Sequence, residues 1–144
     1  MGAEIEVVPV RTPSEMARAY ELRRLVFIEE QHVPESIEKD EDDRRAFHAL
    51  ALFGGRPVGC GRFVEHDGEV KIGRMAVLRE LRGRGIGRAI LEFLMEEARR
   101  RGTRRAVLHA QVSAEGFYLK AGFTRVGEIF EEAGIDHRRM ERSL

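Results

Sequence analysis

One cysteine, Cys60, stands among the 144 residues. A single thiol closes no internal disulfide, and without cysteine pairs there is no zinc-finger spacing and no C-x-x-C redox motif. A reducing, cytoplasmic setting is the expectation. Net charge is missing as well: 25 Lys plus Arg balance 25 Asp plus Glu, which argues against a general binder of nucleic acid or other polyanions. No window approaches about 18 uninterrupted apolar residues, and the opening MGAEIEVVPV has neither a basic stretch nor an apolar core of the secretory kind. Neither membrane spanning nor export is expected. Gly2 begins no myristoylation signal, because Glu6 stands where that pattern needs Ser or Thr. The 5 histidines are scattered, with no ligand spacing and no cysteine partner, so no metal site is expected.

What is present fits one domain over residues 1–144, since single cores typically run from roughly 50 to 200 residues. Charge is balanced in sum and uneven along the chain. Glu35–Asp43, ESIEKDEDD, carries six acids and one lysine, whereas Arg79–Arg105 carries nine arginines against four glutamates. Taken singly, such stretches are ordinary solvated surface. Taken together, a basic half suits a phosphate-bearing cofactor and an acidic loop suits a cationic acceptor.

Glu4–Val10 is rich in β-branched residues and reads as a strand. It ends at T-P-S-E, where Thr12 can cap, Pro13 fits a first turn and Glu15 completes a capping box. A helix from Pro13 to about Phe27 is expected, then a short helical stretch V-F-I-E-E-Q, with the charged run to Arg45 as loop or frayed helix. Phe47–Phe53, Arg56–Glu65 and Glu69–Val77 read as a three-stranded meander turned by Gly54-Gly55 and His66-Asp67-Gly68. Gly85–Arg101 sets Ile86, Ile90, Phe93, Leu94 and Ala98 at helical spacing. Ala106–Ala110 is a short strand, Ser113–Ala121 a second helix ended by Gly122, and Thr124–Phe130 and His137–Leu144 are the last strands. The order describes an α/β (α+β) domain with a strand-loop-helix unit at its centre.

That unit is R-M-A-V-L-R-E-L-R-G-R-G-I-G-R-A-I-L, Arg74–Leu91. Glycines where strand becomes helix leave backbone N–H groups aimed at one point, with the helix dipole behind them, and this makes an anion site suited to pyrophosphate. Gly83, Gly85 and Gly87 admit close approach, and Arg82, Arg84 and Arg88 can add charge-assisted contacts. The spacing is G-x-G-x-G, so the dinucleotide fingerprint fails at Arg88, and a Walker loop fails for want of Gly-Lys-Ser/Thr.

With M-A-V before it and A-E-G-F-Y-L-K-A-G-F some thirty residues on, R-x-x-G-x-G at Arg82–Gly87 resembles the GCN5-related N-acetyltransferase (GNAT) family over nearly the whole chain. Leu22–Pro34 and E-x-D-x-x-D-x-x-x-x-H from Glu38 to His48 resemble its ElaA-like branch. The resemblance implies a mixed, mostly antiparallel sheet of about seven strands flanked by about four helices, with a splayed central pair forming an acyl-CoA cleft. It implies that Met75, Ala76 and Val77 hold the pantetheine arm and that Gly83, Arg84, Gly85, Ile86, Gly87 and Arg88 hold the phosphates, with Arg82 opening the motif. Tyr118 falls on the family's general acid, and Gln111 falls where an asparagine is common. The acidic segment falls among acceptor-binding loops.

An acyltransferase must receive a free amine, because an ammonium with pKa near 10.4 has no lone pair at neutral pH. Glu30, His32, His109 and His137 are the candidate bases, with Glu30 and His109 foremost; each histidine also fits a hydrogen-bonded structural role. Cys60, on an expected strand, reads as a small core hydrophobe. The function expected is direct transfer of acetyl from acetyl-CoA to a primary amine of a small molecule or peptide, without metal, nucleic acid or membrane; a homodimer is left open. The rivals are a non-catalytic acyl-CoA binding or sensing module and, more remotely, a nucleotide-binding domain.

Overall fold

The computed structural model describes residues 4–144. Seven strands form one sheet: β1 (Ile5–Pro9), β2 (Phe47–Phe53), β3 (Arg56–His66), β4 (Glu69–Val77), β5 (Arg105–Gln111), β6 (Thr124–Glu132) and β7 (Ile135–Ser143), in the spatial order β1-β2-β3-β4-β5-β7-β6. All neighbours run antiparallel except β4 and β5. That single parallel pair needs a crossover, and helix α3 (Ile86–Arg100) supplies it.

Helix α1 (Pro13–Arg23) starts as its sequence dictates. Thr12 accepts from the Glu15 N–H, and the Glu15 carboxylate accepts from the Thr12 N–H. Its end differs from expectation. After Arg23 the chain widens into a π-helical stretch, Arg24–Glu30, in which the Gln31 N–H reaches back five residues to the Val26 carbonyl. The charged run then folds into a one-turn helix α2 (Glu35–Glu38) and a 3-10 turn, Glu41–Arg44. After β5, the expected helix splits into a 3-10 turn and α4 (Glu115–Lys120).

Alternation along β3 assigns the two layers. Cys60 turns toward the Ala19 carbonyl of α1, while a side chain at Gly59 or Gly61 would run into Ile90 of α3 on the opposite face. Helix α3 buries Ile86, Ile90, Leu91, Leu94, Met95 and Ala98 against that face. Each such side chain contributes roughly 1.5–3 kcal/mol by leaving water. None of the helices among the described residues is long and apolar enough to cross a membrane.

Candidate active site

Between β4 and β5 the sheet opens. Their pairing runs from Glu69 with Arg105 to Ile72 with Leu108 and stops, although β4 continues to Val77 and β5 to Gln111. The cause lies on β4. Cys60 pairs with Ala76 but Arg62 with Gly73, so β4 holds one residue more than β3 across this stretch, and Arg74 takes a φ of 51°. Such a bulge bends its strand and increases the local twist. The Met75–Val77 edge therefore faces a cleft of about 850 Å3 instead of a neighbouring strand.

One end of the cleft is the glycine loop. Gly83 and Gly85 have φ of 80° and 86°, and a side chain at either would project into open space. No side chain caps α3, and its first internal backbone bond is Ala89 N–H to the Gly85 carbonyl. The Ile86, Gly87 and Arg88 N–H groups are thus left without intrahelical acceptors at the positive end of the dipole. This donor set fits a pyrophosphate, and Met75–Val77 offer free backbone to an extended arm.

The side chains divide less evenly than expected. Ile86 is buried in the core, so its contribution to the loop is its N–H. Arg82 spends its guanidinium within the protein: Nε donates to the Val77 carbonyl at 3.0 Å, and Nη1 and Nη2 donate to Glu30 at 2.6 and 2.7 Å. The same pair removes Glu30 as a base, because the Arg82 hydrogen bonds hold its carboxyl below the usual range. Glu30 and Arg84 do not line the cleft, whereas Arg88 does. Gln111 lines it too and donates to Gln31 at 2.8 Å, tying β5 to the end of the π-helical stretch.

Tyr118 lines the cleft with its ring packed edge-on against Phe117 and Phe123. Burial pushes its phenol up to about 12. His109, on β5, stands in the same cleft and bonds through Nδ1 to the Glu132 carboxylate at 2.9 Å. Burial opposes the charge on Glu132, but the hydrogen bond from His109 and the nearby His137 and Lys71 outweigh it and hold the carboxyl low. An ionised carboxylate only accepts, so Nδ1 carries the proton, and in the neutral ring Nε2 is the nitrogen with the lone pair. His137 is fixed by the Ile135 carbonyl at 2.7 Å, and its ring stacks on Phe130. His32 is exposed and lies off the cleft.

The acidic segment is not a free electrostatic lure. Glu38 is 2% exposed and forks onto Arg23 at 2.5–3.0 Å. Asp43 bonds Arg23 at 2.8 Å and Arg62 at 2.6 Å, and Asp40 bonds Arg62 at 2.7 Å and Arg74 at 3.2 Å. Three acids meet three arginines there, and the reading of this segment as an attractor of cationic acceptors is withdrawn.

The chain matches the model of the acetyltransferase (GNAT) domain over residues 13–144. It belongs to the GNAT acetyltransferase family. Among relatives, the uncharacterized N-acetyltransferase YjcF of Bacillus subtilis is 34% identical over 137 residues, covering 94% of this chain and 98% of that protein. Protein ElaA of Escherichia coli is 30% identical over 136 residues, 91% and 89% of the two chains. Its crystal structure superposes with a TM-score of 0.86 at 29% identity, covering 96% and 99%. An acyl-CoA N-acyltransferase from Pseudomonas aeruginosa gives a TM-score of 0.85 at 28% identity, again over 96% and 99%.

Within this GNAT domain the residue pattern had concealed Glu132, Lys71 and Gly73. Glu132 reaches His109 only because a two-residue turn, Ala133-Gly134, folds β6 back onto β7. Gly73 carries a local sign, an isolated glycine within a strand, which often marks a bulge or a close approach of backbone or ligand.

Proposed function

We propose that the protein transfers an acetyl group from acetyl-CoA directly to a primary amine, with His109 as base. The observation that carries this is one cleft holding both the uncapped glycine loop and the Glu132–His109 pair. Acetyl-CoA supplies the acyl group as a thioester whose C–S bond breaks as the amine nitrogen forms the new N–C bond.

The chain's own groups do the rest. The Ile86, Gly87 and Arg88 amides and the Arg88 guanidinium hold the phosphates; Met75–Val77 align the arm along β4. His109 Nε2 takes the proton that the acceptor nitrogen sheds, and Glu132 fixes the tautomer and stabilises the imidazolium formed. The Tyr118 hydroxyl, lining the same cleft, would donate a hydrogen bond to the departing sulfur.

Cys60 supports a route without an acyl-enzyme. It is buried, with its thiol pushed up to about 12 by burial, so almost no thiolate exists to attack.

A screen of primary amines with thiol detection of released CoA tests the proposal. Acceptor-dependent thiol release, with no acetylated residue in the intact mass after incubation with acetyl-CoA alone, is expected. Acetyl-CoA binding without turnover of any amine would favour the sensing module, and stoichiometric acetylation of Cys60 would end the direct route.

A further inference from the structure

The acceptor side of the cleft has a recognisable floor. Directly paired residues of neighbouring strands share a sheet face. Arg62 pairs with Gly73, Val64 with Lys71, and Lys71 with Val107. His109 lies two residues beyond Val107, so Arg62, Gly73, Lys71 and His109 all look toward the side covered by α1 and α2. Gly73 sits among them, and a side chain added there would meet no protein atom within 4 Å. The result is a hollow above Gly73. Lys71 and Arg74 bound it along β4, Arg62 bounds it on β3, and His109 bounds it on β5.

The charges around the hollow separate into spent and unspent. Every acid of this wall is committed: Asp40 to Arg62 and Arg74, Glu38 to Arg23, Asp42 to Arg45, and Glu132 to His109. Arg62 is equally committed, to Asp40 and Asp43. Lys71 is not, and Arg74, which pairs with Asp40, keeps only Nη1 unused. Lys71 lines the cleft with no carboxylate within salt-bridge distance among the described residues. Arg74 gives Nε and Nη2 to the Glu38 and Ile37 carbonyls and Asp40, and its Nη1 has no partner there. A wall whose acids are neutralised and whose free donors include the Lys71 ammonium and Arg74 Nη1 favours an anion.

Resting on the reading that His109 receives the acceptor's proton, we infer that the acceptor is an amino acid, its carboxylate held over Gly73 by Lys71 and Arg74. The amine then stands toward His109. Gly73 sets the size limit, because any side chain there would occupy the carboxylate's place.

The test compares L-phenylalanine with phenethylamine and L-methionine with 3-(methylthio)propylamine, each pair differing in the carboxylate alone. Acceptor kcat/KM is measured at saturating acetyl-CoA, alongside acetyl-CoA affinity by calorimetry. The amino acid of each pair is expected to lead by about tenfold or more, the worth of one charge-assisted contact. Lys71→Met should erase that lead by raising the amino acid's KM well beyond any change in the plain amine's, and be rescued by Lys71→Arg. Gly73→Val should block the amino acids at wild-type acetyl-CoA affinity, with a smaller effect on the plain amines. 3-Phenylpropionate should compete with the amine but not with acetyl-CoA. Preference for the plain amines, or a Lys71→Met enzyme that keeps the amino-acid lead, overturns the inference and leaves the transferase reading standing. Turnover of no amine by the wild type overturns both.

Discussion

Tyr118 and the thiol it is proposed to assist differ in acidity in a way that limits what the residue can do. Burial raises the phenol to about 12, whereas a thiol titrates near 8.5, so full proton handover to the thiolate runs uphill by roughly three units, about 4–5 kcal/mol. Its value is therefore a hydrogen bond to developing charge. Tyr118→Phe is expected to lower kcat about ten- to a hundredfold while acetyl-CoA KM stays within about twofold, as steady-state kinetics would show. A loss of a thousandfold or more would restore proton donation. Tyr118 was legible because its motif, F-Y-x-x-x-G-F, is contiguous. Glu30 was misread because the partner that disarms it, Arg82, lies 52 residues away.

The loop and its helix work as one element. Gly85 holds a φ of 86° with empty space beyond its Cα, a conformation that is a genuine outlier for a β-branched residue. Gly85→Val is expected to destabilise the fold by about 1–3 kcal/mol through strain and to lower acetyl-CoA affinity at least tenfold by filling the phosphate space, seen by calorimetry on the folded fraction. Gly87 works differently. It is helical, and a Cβ there would stand 3.4 Å from Phe117, so Gly87→Val acts by pushing Phe117. Unchanged affinity in a folded Gly85→Val protein would remove the loop from the site. Helix α3 and the meander were readable in outline because hydrophobic period and turn glycines are local. The widening of Arg24–Glu30 into a π-helical stretch has no such local signature.

Across the whole molecule, the charged segment Glu35–Arg44 is fastened to α1 and the sheet by ion pairs. Glu38 and Asp43 from the acidic run meet Arg23 of α1, while Asp40 and Asp43 meet Arg62 of β3. Removing one partner from such a cluster typically costs about 3–5 kcal/mol, because a buried charge is left uncompensated. Burial alone would raise the Asp43 carboxyl, but hydrogen bonds from Arg23 and then Arg62 outweigh it and bring it down to about 2. An acid depressed in the folded state stabilises above its unfolded value, near 3.9, and that contribution is lost as pH falls toward 2. Urea unfolding followed from pH 7 to 2 is expected to show a steep loss between about pH 4 and 2. Asp43→Asn should be less stable at pH 7 and flatter across that window. A variant as stable as wild type, with raised acceptor KM, would return the acids to a substrate role.

The sequence by itself determined the order of elements, the glycine-rich turn at the mouth of α3 and the family, because each rests on residues that are neighbours along the chain. The tertiary structure alone decided which charges are free. Glu38 finds Arg23, Asp43 finds Arg62 and Glu132 finds His109 at separations of 15, 19 and 23 residues. Neither composition nor period records such pairings. Glu132 meets His109 through the sheet, whereas Glu38 and Asp43 meet Arg23 and Arg62 because α2 and the 3-10 turn pack over α1 and β3, and those contacts leave Lys71 unspent while tying down half of an acidic run that looked open.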